Sequence, residues 1–166
     1  MADEHIATYL NDHLAGATAA IELLEHLEKV YAGSGVGQAA AGLRAEIEAD
    51  RQELRAVMGR LEVDESRARK ASAWLSGKVT ELKLRLDDRA GGDLHLFEAL
   101  EVLSLGIEGK HGLWRALMAA AQGAPSLQVA DYERLVQRAV DQRGRVEAMR
   151  LEAARKALVP GPVPGS

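Results

Sequence analysis

At 166 residues the chain is long enough for one domain with a sizeable core, and with no cysteine it cannot form disulfides, thiolate metal sites or a cysteine nucleophile. The formal charge is −4, with Lys and Arg interleaved among Asp and Glu, so no basic stripe suggests a nucleic-acid partner. Ala, Leu, Glu and Arg dominate, and only 4% of residues are aromatic against 47% hydrophobic, which points to an all-α protein packed through aliphatic side chains.

The chain opens Met1-Ala2-Asp3-Glu4, without a basic and apolar leader, and no apolar run approaches the ~18 residues that cross a membrane. The expectation is a soluble cytoplasmic protein with no membrane partner. A first helix is predicted from about Glu4 to Tyr31, stopped by Gly33-Ser34-Gly35-Val36-Gly37; without a following Lys and Ser/Thr this cluster reads as a connector rather than a phosphate loop. A second runs from about Gln38 to Leu61. A third, capped by Asp64 or Ser66, reaches about Arg85 with Trp74, Leu75, Val79, Leu82 and Leu86 as its apolar stripe. Gly91-Gly92 breaks it, Asp93 caps a fourth helix to Gln122, and Ser126 caps a fifth to about Leu158 after Gly123-Ala124-Pro125. One domain over 1–158 is expected, with 159–166 a disordered Pro/Gly tail.

Short loops make helices one and two, and helices four and five, antiparallel neighbours, with the third as a crossover. Projected at 100° per residue, six polar residues fall on apolar stripes: His13 on the first helix, Asp50 on the second, Ser104 and His111 on the fourth, Gln142 and Arg143 on the fifth. At 1.5 Å per residue, His13 and His111 sit roughly 13 to 17 Å from the same end, Asp50 about 18 Å and Gln142/Arg143 about 25 Å, so the six are expected to form one layer. Polar groups in a core cost roughly 1–3 kcal/mol each unless partnered. The expected partnering is an Asp50–Arg143 ion pair, with His13, His111, Ser104 and Gln142 supplying further donors and acceptors and no cofactor. The alternative is a single iron, manganese or zinc ion on His13, Asp50 and His111, with Glu53 and Glu108 as weaker candidates. Trp74 and Trp114 are read as packing residues, and His5, His26 and His95 as solvated. Gly106, Gly109 and Gly112, three glycines inside one helix, suggest a close approach there and a homodimer surface.

The hairpin, crossover, hairpin plan, together with Tyr9-Leu10-Asn11-Asp12-His13-Leu14-Ala15-Gly16-Ala17-Thr18-Ala19-Ala20-Ile21-Glu22-Leu23-Leu24, resembles small bacterial members of the ferritin-like superfamily. The resemblance implies an up-down four-helix bundle over residues 4 to 158. In di-iron members it also implies an inward Glu on two bundle helices and Glu-x-x-His on the other two. Here Ala17 stands near the first Glu, and Asp50-Arg51-Gln52-Glu53 and Asp141-Gln142-Arg143-Gly144 replace the Glu-x-x-His motifs. The intact motif, Glu108-Gly109-Lys110-His111, lies on a helix where the family needs only Glu. The expected function is therefore a non-catalytic bundle with a polar network in place of a di-metal centre. The alternatives are a metal-binding oxidase or storage protein, and a small-ligand binder.

Overall fold

The computed structural model describes residues 3–161, with backbone only at 69–71. Within them there are five long helices and no strand: α1 (Glu4–Val30), α2 (Gly35–Arg60), α3 (Ala68–Asp87), α4 (Gly92–Ala121) and α5 (Tyr132–Ala157). Short 3₁₀ turns at 65–67, 89–91 and 125–127 lead into the last three. No described helix is long and apolar enough to cross a membrane. Of the expected tail, 162–166 lie outside the described residues.

Local chemistry sets the boundaries. Asp3 caps α1 by accepting from the His5 N–H at 2.7 Å. The glycine cluster is a tighter break than expected, and α2 begins at Gly35 rather than Gln38. Ser34 accepts from the Gly37 N–H at 3.2 Å and donates to the Tyr31 carbonyl at 2.7 Å. A Cβ on Gly37 would stand 2.2 Å from that carbonyl oxygen, so the turn needs glycine there. At the other hairpin the expected cap Ser126 lies inside a 3₁₀ turn opened by Pro125. The cap of α5 is instead Asp131, which accepts from the Arg134 N–H at 3.0 Å. The intervening loop is pinned by the Tyr132 hydroxyl, which donates to Leu127 O at 2.7 Å. Asp93, expected as a cap, sits within the first turn of α4.

Ion pairs show how the helices run. Arg44–Glu28 joins the antiparallel α1 and α2, while Arg150–Glu101 and Arg143–Glu108 join the antiparallel α4 and α5. α3 runs parallel to α1, tied at its start by Arg67 to Glu4 and at its end by Asp87 to His26 at 2.9 Å. His26 is thus a tie for α3 rather than a solvated side chain. Buried Asn11 anchors the link between α2 and α3: its amide donates to Ala7 O and Asp64 O, and its oxygen accepts from the Ala68 N–H at 2.9 Å. α3 meets the core through Val79 and Leu86. Trp74 is 70% exposed and not a packing residue, because the working stripe is Leu75, Val79, Leu82 and Leu86 and Trp74 lies 100° to its side.

The apolar interior falls into two clusters. One gathers Leu23, Leu27, Leu43, Ile47, Leu100, Ile107 and Val146, with α3's Val79 and Leu86. The other gathers Leu10, Leu14, Leu54, Met58, Trp114, Leu117 and Leu135. Between them lies a layer of charged and polar side chains.

Candidate functional site

The layer arises where three helices each interrupt an apolar stripe. Asp50 on α2 stands between Ile47 and Leu54, and Gln142 on α5 between Ala139 and Val146, each at the three- and four-residue spacings that share a face. Lys110 holds the matching place on α4, between Ile107 and Trp114. Arg138 lies one turn before Gln142 on the same side of α5.

Asp50 is 3% exposed and is the buried carboxylate of the described residues. Its Oδ1 is ion-paired with the Arg138 guanidinium. Its Oδ2 accepts from Lys110 Nζ and, at 3.0 Å, from Gln142 Nε2. Lys110, 13% exposed, also donates to Gln142 Oε1. Gln142, fully buried, passes the network outward by donating to Glu46 Oε2 at 3.2 Å, and Glu46 is gripped by both Nη atoms of Arg145. Lys110 and Arg138 thus face Asp50, while Arg145 faces Glu46 and feels Asp141, so cations and carboxylates are matched in number across the network. Burial lowers the Lys110 ammonium from its usual range, opposed by the attraction of Asp50. The Arg145 hydrogen bond holds Glu46 below the usual carboxylate value. Such an ion cluster adds little net stability, but removing one partner leaves a buried charge unmatched at about 3–5 kcal/mol.

Of the six residues expected in the layer, the structure brings together Asp50 and Gln142. His13 is half-buried beside them, edge-on to the Tyr9 ring at 4.7 Å, and burial lowers its pKa. Ser104, His111 and Arg143 are elsewhere: they line an open groove between α4 and α5 on the outside of the molecule. Arg143 is 54% exposed and pairs there with Glu108 at 2.9 Å, so the expected Asp50–Arg143 pair is not made and Arg138 takes its place. The reason is phase. Arg138 is four residues from Gln142 and shares its face, whereas Arg143 is rotated 100° from it. The same correction applies on α4, where Lys110 rather than His111 is inward. Lys110 lies three residues after Ile107 and seven before Leu117, a signal legible in the sequence and obscured by the habit of placing lysine outside.

The proposed metal ligands are not assembled. His13 and Asp50 approach the layer, His111 faces the outer groove, Glu53 pairs with Arg134 at 2.7 Å and Glu108 with Arg143. Among the described residues no three His, Asp or Glu side chains form a group that could hold a metal ion. Beside the layer, at the seam of α1 and α4, there is a cavity of about 80 Å³ bordered by Asp50, Lys110 and Trp114.

No family model, curated protein or solved structure matches the chain significantly. What the site does has to be argued from its own chemistry, a buried carboxylate shared by an ammonium, a guanidinium and an amide.

Proposed function

We propose that this chain is a ferritin-like four-helix bundle, α3 being its crossover, in which a charge-paired layer replaces a di-metal centre, and that it serves as a non-catalytic structural or interaction module. The observation that carries the reading is the double engagement of Asp50 by Lys110 and Arg138. A divalent ion in this layer would meet two fixed cations in a medium of low dielectric, where like charges repel strongly. The parallel run of α3 alongside α1, between two antiparallel hairpins, supports the ferritin-like plan. Self-association belongs to the proposal as well: Leu105 on the outer face of α4 is 72% exposed, and Gly109 and Gly112 leave the exposed side of that helix thin and unobstructed.

The test is metal content by mass spectrometry after aerobic incubation with iron, manganese and zinc in turn, alongside thermal unfolding. The expected result is no retained metal in the wild type and an Asp50→Asn variant destabilised by about 3 kcal/mol, since two half-buried cations lose their counter-ion. Retention of one or two equivalents, lost in Asp50→Asn, would overturn the reading in favour of a metalloprotein.

A further inference from the structure

The cavity at the seam of α1 and α4 has a composition of its own. Its mouth is formed by Gly16, Ala17 and Ala20 of α1 and by Gly106 of α4. A Cβ on either Gly16 or Gly106 would meet no atom within 4 Å, so the glycines hold the opening wide. Inside, the wall is apolar: Ile47, Leu54, Ile107, Leu113 and the Trp114 ring. The volume, about 80 Å³, is roughly half that of an engineered cavity that admits benzene, which with an open mouth suits about four to six non-hydrogen atoms.

The polar residues on this wall are His13, Asp50, Arg51, Lys110 and Trp114, and three of them keep an N–H without an acceptor. Lys110 spends two of its N–H groups on Asp50 and Gln142 and keeps the third. Trp114, 1% exposed, has a buried indole N–H without a hydrogen-bond partner, and Arg51 has a buried Nε–H in the same condition. Of the Asp50 oxygens, Oδ2 accepts from Lys110 and Gln142, and Oδ1 is ion-paired with the Arg138 guanidinium without a hydrogen bond. A dianion such as phosphate would need more donors and a polar wall. What fits is one negative charge, accepting oxygens and a short apolar body.

We infer that this cavity binds a short-chain monocarboxylate, acetate to butyrate in size, with its carboxylate on Lys110 and its alkyl chain against Ile107, Leu113 and Trp114. The carboxylate takes the hydrogen that Lys110 leaves unused. Bound acid also explains why the α1–α4 seam is built of glycine and alanine, which larger side chains would close. The inference rests on the layer being charge-paired rather than metal-bound, and the two fail differently: retained metal sinks both, whereas a metal-free protein indifferent to acids sinks the inference alone.

The experiment uses Trp74→Phe, which removes the exposed tryptophan and leaves Trp114 as the sole indole fluorophore. Sodium acetate, propionate, butyrate and hexanoate are titrated at constant ionic strength, with butyramide and sodium chloride as controls, while Trp114 emission and Tm are followed. The expected result is a saturable change with propionate and butyrate, little with hexanoate, and none with butyramide or chloride. Lys110→Met weakens the response about tenfold or more, as loss of a charge-assisted hydrogen bond implies. Its fold is checked by circular dichroism, and Gly106→Leu, an exposed position outside the layer, carries the test if it unfolds: closing the mouth abolishes the response. Equal binding of butyramide, a response no different from chloride, or full binding by Gly106→Leu would overturn the proposal.

Discussion

His13 shows how a single side chain reports on the layer. Burial disfavours its imidazolium, partly offset by the nearby charge of Asp12, so its folded-state pKa lies below the ordinary value of about 6.5. A base with a lowered pKa binds fewer protons folded than unfolded; the stability is complete above the unfolded value and is lost as pH falls from about 6.5 through the folded value. The fold is therefore expected to soften as the pH drops below about 6.5, and a His13→Gln variant to lose that part of the slope in denaturant titrations between neutral and mildly acidic pH. An unchanged slope would show that His13 does not titrate against a buried surrounding. The neighbours of His13 are unequally legible in the sequence. Asp50 and Gln142 stand out because polar letters interrupt apolar stripes. Lys110 and Arg138 occupy equally inward positions but are hidden by side chains long enough to read as surface groups. His111 and Arg143 are each one residue away from the inward position, a rotation of 100° that the sequence alone does not resolve.

Among the elements, α4 holds the clearest local conflict between propensity and structure. Gly109 and Gly112 sit in its interior, exposed, and a Cβ added at either would meet nothing within 4 Å, so no packing need within the chain accounts for them. Replacing both by alanine is expected to raise stability by up to about 1 kcal/mol each, read as a higher Tm. If the outer face of α4 is the self-association surface, the same variant shifts its sedimentation profile toward monomer; an unshifted profile would place any dimer elsewhere. The helix starts are the least legible parts of the elements. Ser126 and Asp93 have the chemistry of caps, but Pro125 opens a separate 3₁₀ turn and the Gly91-Gly92 pair lets the chain re-enter a helix two residues early, so α5 is capped by Asp131 and Asp93 falls inside the first turn of α4. The number and order of the helices are readable because each long stripe ends at glycine or proline.

For the whole molecule, the layer partitions the interior. The apolar cluster around Leu27, Leu43, Leu100 and α3's Val79 has no hydrophobic continuity with the one around Leu10, Met58, Trp114 and Leu135, because Asp50, Lys110, Arg138 and Gln142 lie between. Each of α1, α2, α4 and α5 contributes to both. Cooperative opening follows contiguous apolar packing rather than helix identity, so the units that open together are expected to cut across the helices. Native-state hydrogen exchange is then predicted to sort the amides of α2 into two groups, with those before Asp50 sharing an opening energy with the first half of α4 and those after it sharing one with the start of α5. A single value along each helix would show instead that the ionic layer welds the two halves together. The molecule is, on this view, two small proteins stacked end to end on shared helices, with a plane of charge as their joint.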